Sequence, residues 1–270
     1  MSFPFLNIFA SRKPVIGMVH LLPLIGSPNY AGSVKEIIDR AVRDAKTLER
    51  AGFDGLIVEN YGDVPFYPGN VPAETIACMT RVASEVVAAT SLPVGVNVLR
   101  NDAGAALAIA ASVGARFIRT NVHVGVTTSE QGFLFGKAHQ VLRYRSTLQS
   151  KCLIFADISV KHSYPLVEQS VDDLVKDVSE RGLADAVIVT GQRTGEGINM
   201  DFLEKVVGKT DRPVFVGSGI SSENITAILE IADGVIVGTS LKRESKTSNP
   251  VDAHRAEKVL KAAGAARNGK

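Results

Sequence analysis

Only two cysteines, Cys78 and Cys152, occur in 270 residues. They lie far apart, and neither has a second cysteine or a histidine at metal-ligand spacing. That spacing argues against a disulfide framework or a structural zinc site and leaves two buried free thiols in a reducing compartment as the expectation. Charge of one sign is not in excess either. Thirty basic residues are interspersed with 28 acidic ones, for a net charge of +2. This balance gives no overall field that would gather nucleic acid or an anionic membrane, so no nucleic-acid partner is expected. No apolar run is long enough to cross a bilayer. The nearest, 103–115, is short and alanine-rich, is bounded by Asp102 and Arg116, and reads as a helix packed on a sheet. The opening MSFPFLNIFASRKP lacks the basic region and cleavage site of a signal peptide, so a cytoplasmic location is expected.

The sequence does contain a recurring pattern. Hydrophobic residues make up 45% of the chain, enough for one sizeable core, and short β-branched runs return along its whole length. They are VIGMVHL from Val15, GLIVEN from Gly55, VGVNVL from Val94, FIRTNV from Phe117, LIFADIS from Leu153, AVIVTG from Ala186, VFVGSGI from Val214 and GVIVGT from Gly234. Each is nearly all apolar at its start, as a strand buried on both faces of a parallel sheet must be. Helical patterns fill the gaps. Ser33 is placed to cap a helix whose apolar positions Ile37, Ile38, Ala41, Ala45 and Leu48 fall on one side, and Gly52 closes it. Similar helices are expected after Pro72, Asp102, Glu168, Asn199, Ser221 and Pro250. The fold class this predicts is α/β, a single (β/α)8 TIM barrel spanning residues 1–270, with 1–12 as an N-terminal stub capping the barrel bottom. A doubly wound open sheet is the competing arrangement, but it has no use for an eighth strand so evenly spaced.

In such barrels the site lies at the C-terminal ends of the strands, and the polar residues collect there. His20 ends the first run, and Glu59 and Asn60 end the second. Asn97 sits in the third with Arg100 just after, and Arg119, Asn121 and His123 follow along the fourth. Asp157, Lys161 and His162 leave the fifth, and Thr190 closes the sixth. Strand alternation places Phe155, Asp157, Ser159 and Lys161 on one face, pointing into the barrel. The same rule turns His20, Asn97, Arg119, Asn121 and His123 inward. Two readings stand side by side: Arg119, Asp157 and Glu59 as a satisfied ion-pair layer, since buried charges must be paired, or the same residues as part of a reactive centre.

The seventh and eighth runs end in small residues: Gly217, Ser218 and Gly219, with Ser221 expected to start a short helix, then Gly238, Thr239 and Ser240. Loops of this kind let backbone N–H groups approach phosphate oxygens, and a helix N-terminus adds favourable partial charge. Lys242 is a candidate added cation. A third glycine-rich loop from Thr190, carrying Arg193, suits a lid or a second anion contact. The long stretches after the second and fourth runs offer Tyr61, Phe66, Tyr67 and Phe133 to cover a ligand or to bury against a partner subunit in a homo-oligomer. Histidines at the first, fourth and fifth runs with Asp157 raise the question of zinc. However, there is no His-x-His after the first run and no His-Glu-x-x-His anywhere, and Lys161 would oppose a cation. No metal and no cofactor are expected.

The chain resembles the BtpA/SgcQ family, also called the photosystem I biogenesis protein BtpA family. The likeness is carried in order by PVIGMVHLLPLIGSP, DGLIVENYGDVPF, VGVNVLRNDA, RFIRTNVHVG, ADISVKHSYPL, VTGQRTGEG, VGSGI and VGTSLKRE. The resemblance implies a ribulose-phosphate-binding-type TIM barrel and a phosphorylated small-molecule partner. One branch is named for assembling or stabilising photosystem I, which in a phototrophic host implies a place beside the photosynthetic membrane. Another branch is associated with sugar-utilisation gene clusters. The candidate catalytic set is Lys161, Asp157, His162, Glu59, His20, Asn97, Asn121 and His123, with Gly217, Ser218, Gly219, Gly238, Thr239 and Ser240 for phosphate. An isomerase, lyase or hydrolase acting on a phosphorylated sugar or nucleotide-like molecule is one reading. A non-catalytic photosystem I factor and a ligand-sensing barrel are the others.

Overall fold

In the computed structural model, which describes residues 8–158, 163–191 and 198–267, each of the eight apolar runs becomes a parallel strand of one closed barrel. The barrel strands are β1 (Val15–His20), β2 (Gly55–Glu59), β3 (Val94–Asn97), β4 (Phe117–Thr120), β7 (Leu153–Asp157), β9 (Ala186–Val189), β10 (Val214–Val216) and β11 (Gly234–Val237). They pair in chain order, and β11 closes against β1 through Val15↔Val235 and Gly17↔Val237. Helices α1 (Val34–Ala51), α2 (Ala73–Ala89), α3 (Ala103–Val113), α4 (Ala138–Thr147), α5 (Val171–Lys176, continued by a π-helical turn over Asp177–Arg181), α6 (Met200–Val207), α7 (Ile225–Ile231) and α8 (Ala253–Arg267) return the chain between strands.

Alternation divides the apolar residues into two cores. Val15, Val19, Leu56, Val58, Val96, Ile118, Ile154 and Val187 face outward into the layer packed by the helices. Ile16, Met18, Ile57, Phe117, Phe155, Ile188, Phe215 and Ile236 fill the barrel itself. The aromatic rings set its packing, with Phe117 stacked on Phe155 at 4.7 Å and Phe155 tilted against Phe215 at 5.0 Å. Glycine makes the room they need: a Cβ at Gly95 would lie 2.3 Å from the Phe117 ring, and one at Gly234 would lie 2.5 Å from Phe215. Phe9 joins this inner cluster edge-on to Phe117 at 5.8 Å.

The helices begin and end where local chemistry requires. Ser33 Oγ accepts the Glu36 N–H at 3.2 Å, a cap worth about 1 kcal/mol, and Gly52 ends α1 at φ 94°. Three features depart from the expectations. The helix after β10 starts at Ile225 rather than Ser221, because Asn224 Oδ1 accepts the Ser221 N–H at 2.9 Å and holds 221–224 as a turn. A helix, α4, also fills the long stretch after β4. The chain around it adds a small antiparallel sheet of β5 (Val126–Ser129), β6 (Gly132–Phe135) and β8 (Tyr164–Pro165), with β5 central. No helix among the described residues is long and apolar enough to cross a membrane. Cys78 and Cys152 are both free and buried, and burial pushes the Cys152 thiol up to about 12.

Candidate active site at the barrel mouth

The last inward positions of β1, β2, β3, β4 and β7 are all polar and form one layer. Register aligns four neighbours directly, His20↔Glu59, Glu59↔Asn97 and Asn97↔Arg119. Asp157 follows from β7, and Thr190, Gly217 and Gly238 stand just beyond β9, β10 and β11. The barrel is therefore apolar below and polar at its C-terminal rim, where TIM-barrel sites lie.

One half of this rim is a fixed network of side chains. Arg119 grips Asp157 with two bonds, Nε to Oδ1 and Nη2 to Oδ2, both 3.0 Å. Asn121 Nδ2 donates to Asp157 Oδ2 at 3.1 Å, and Asn97 Nδ2 donates to the Arg119 carbonyl at 3.1 Å and to Asn121 Oδ1 at 3.3 Å. Burial works against the charge on Arg119, but the paired Asp157 outweighs it and holds the guanidinium above its ordinary value. Burial also pushes the Asp157 carboxyl up, while Arg119 and Asn121 pull it back. Beside this network, His20 Nε2 lies 3.5 Å from Glu59 Oε1, and the Tyr61 ring packs on the imidazole at 4.9 Å. Arg100 is buried at the same rim. Burial lowers its pKa, and the nearby carboxylates of Glu130, Asp157 and Glu59 support its charge.

The other half is built from backbone. Gly217, Ser218 and Gly219 leave β10, and Gly238, Thr239 and Ser240 leave β11. The loops are tied together by Ser240 Oγ donating to the Ile220 carbonyl at 2.7 Å, and Ser218 Oγ accepts the Gly191 N–H at 2.7 Å. The backbone N–H groups of Ser218, Gly219, Thr239 and Ser240 have no acceptor among the described residues. The two halves meet closely. A Cβ at Gly238 would lie 3.2 Å from His20 Cε1, and one at Gly217 would lie 3.3 Å from Arg119 Nη2. A side chain at Gly217 would also strike Ile188 Cγ2 at 2.5 Å, so neither position has room for one beside the charged half.

The structure thus gathers His20, Glu59, Asn97, Asn121 and Asp157 with the six loop residues. Lys161 and His162 lie outside the described residues, as do 192–197 with Arg193. His123 is not part of the gathering. Its Nε2 bonds the Gly182 carbonyl at 2.7 Å, and since a carbonyl only accepts, Nε2 carries the proton. Burial lowers its pKa and keeps the ring neutral. Lys242 is corrected as well. Instead of reaching the anion loops, its fully buried ammonium donates to the Met18 carbonyl at 3.0 Å and to Asp44 Oδ2 at 3.3 Å, and burial brings its pKa down to about 8. Asn60 fastens the loop after β2, accepting the Leu99 N–H at 2.7 Å. Arg100 was missing from the expected site set, although it lies three residues after Asn97 in VGVNVLRNDA.

Among the described residues no group of three His, Cys, Asp or Glu side chains could hold a metal ion. A separate cavity of about 180 Å³ lies outside the barrel wall, lined by Asn101, Thr120, His123, Lys137, Gln140 and Tyr144. It includes none of the rim charges and is smaller than the ~300 Å³ at which small-molecule pockets usually begin.

Comparison with known proteins follows the same outline. The sequence profile of the BtpA family matches residues 11–265. An uncharacterized protein of Pyrococcus furiosus is 46% identical over 251 residues, covering 93% of this chain and 95% of that protein. The photosystem I biogenesis protein BtpA of Synechocystis is 43% identical over 255 residues, covering 94% and 89%. Among solved structures, phosphoribosyl anthranilate isomerase from Thermus thermophilus superposes with a TM-score of 0.57 at 11% identity, covering 93% of this chain and 98% of that one. At that identity the likeness is one of fold.

Proposed function

The chain belongs to the BtpA family, and on that premise we propose that its barrel mouth binds a phosphorylated small molecule, sugar or nucleotide-like, and acts on it. The observation that carries this reading is the set of N–H groups at Ser218, Gly219, Thr239 and Ser240 with no acceptor among the described residues, on two loops whose Gly238 and Gly217 closely approach His20 and Arg119. Such groups can cradle phosphate oxygens without a protein cation. A fold neighbour whose name includes a phosphoribosyl compound is in keeping with it.

In this reading the phosphate sits on the two loops and the rest of the ligand extends over the charged half. His20 and Glu59, 3.5 Å apart, form the proton-moving pair. Asp157 is committed to Arg119 and Asn121, and so acts as the anchor that fixes a positive charge under the ligand. Lys161 and His162 complete the proposal from sequence, as a cation or Schiff-base nucleophile and a second proton carrier. Isomerase and lyase reactions need this mixture of acid, base and cation, and hydrolysis uses the same groups on water.

Native mass spectrometry of the chain purified from its host tests the reading. A co-purified phosphorylated compound, displaced by excess inorganic phosphate and absent from Ser218→Asp, is expected. A chain that purifies empty and takes up no inorganic phosphate would contradict it. On the ligand so identified, Lys161→Ala is expected to abolish turnover and keep phosphate affinity. Unchanged turnover removes Lys161 from the mechanism.

The name of the Synechocystis relative favours a second reading, a non-catalytic factor in photosystem I assembly or stability. In a phototrophic deletion host, rescue of photosystem I by a His20→Ala, Lys161→Ala double variant would select it, and failure of rescue would select chemistry.

A further inference from the structure

The small sheet beside the mouth has one face that none of the other described residues covers. Register puts Phe133, Thr128 and Tyr164 in one row and Phe135 opposite Val126 in the next, so all five side chains emerge on the same side. Leu134 and Thr127, on the opposite side, are buried. On the outer side Phe133 is 54% exposed, Phe135 59% and Tyr164 67%, and Leu166 and Val167 follow along the chain at 56% and 70%. Three aromatic rings left this open expose roughly 350 Å² by themselves. With the two aliphatic residues added, the patch reaches the upper range of apolar patches on monomers, ~300–600 Å². It approaches the ~800 Å² that each partner contributes to a standard stable interface.

We infer that a second copy of this chain covers that face. The charge pattern points to this occupant. None of the seven side chains is charged, and the uncharged core of an interface is what lets a surface pair with itself about a two-fold axis without opposing like charges. No basic residue lies among them to hold an anionic lipid surface. The contact also reaches the mouth. Glu130 sits in the turn between β5 and β6, and its carboxylate is the leading support of the Arg100 charge. A partner seated on the outer face would therefore steady the sheet that borders the mouth. The inference is independent of any phosphate reading, because none of these seven side chains takes part in the proposed phosphate site.

Sedimentation velocity of the full chain tests it. The wild type is expected at twice its 28.7 kDa mass, and the Phe133→Asp, Phe135→Asp double variant at the single mass with unchanged circular dichroism. Tyr164→Asp, on a different strand, is expected to lose the dimer too, and it decides the matter should the double variant fail to fold. A wild type at 28.7 kDa up to its solubility limit overturns the inference. So does a dimer that survives both folded variants, or a monomer that floats with phosphatidylcholine vesicles, which would assign the face to a lipid surface.

Discussion

The two halves of the barrel mouth are built on different principles. On the β1–β7 side, side chains do the holding: Arg119, Asp157, Asn121 and Asn97 bond one another in a buried network, with Asn97 Oδ1 left without a partner among the described residues. On the β10–β11 side the loops are backbone, and the N–H groups of Ser218, Gly219, Thr239 and Ser240 have no acceptor among the described residues. A buried network of charged side chains contributes order and charge, whereas solvent-facing backbone donors with no partner among the described residues are free to take an anion. The contrast separates residues that shape the site from residues that meet the ligand.

The largest effect should come from cutting the side-chain half. Asp157→Ala strands a buried guanidinium and is expected to cost ~3–5 kcal/mol in urea unfolding, with much of that recovered when Arg119→Met is added. A loss no greater than that of a surface substitution would show that the network is not load-sharing. In the backbone half, Ser218→Asp places a carboxylate where the phosphate is proposed to sit. Calorimetry with inorganic phosphate should show binding weakened at least ~10-fold, about 1.4 kcal/mol, and unaltered binding would break the contrast.

Lys242 sharpens the boundary between the halves. Its pKa of about 8 in the folded chain lies below the ordinary 10.5, so between those values the unfolded chain binds more protons and stability should rise with pH. Relative to Lys242→Met, the wild type should gain on the order of 1 kcal/mol across that window, while phosphate affinity stays the same in both. A flat difference, or weaker phosphate binding in Lys242→Met, would return Lys242 to the anion site. The smallest expected effect is at His123. His123→Asn should leave phosphate affinity within about twofold, below ~0.5 kcal/mol, because its ring is committed to Gly182.

The barrel was readable from sequence because strands buried on both faces appear as unbroken apolar runs, and because alternation fixes which residues point inward. His20, Glu59, Asn97 and Asp157 followed from that rule while they lay within or at the end of a strand. The rule loses its force where a strand stops. His123 lies three residues past Thr120, and Lys242 follows a turn of 3-10 helix over Thr239–Leu241, so neither keeps the strand's parity. The small sheet was hidden because VTTS, GFLF and YP are short and pair across a long interval, as 127 does with 165. Helix α4 was hidden because Val141 is its one buried residue, which leaves almost no apolar period to read.

The central claim is that the anion is held by backbone and not by the charged network. An amide-resolved NMR titration with inorganic phosphate tests it most directly. Saturable shifts concentrated at Ser218, Gly219, Thr239 and Ser240, with the amides around Lys137 and Lys242 unmoved, are the result predicted. Shifts confined to Arg100 and the β1–β7 rim, or none at any amide of the two loops, would contradict it.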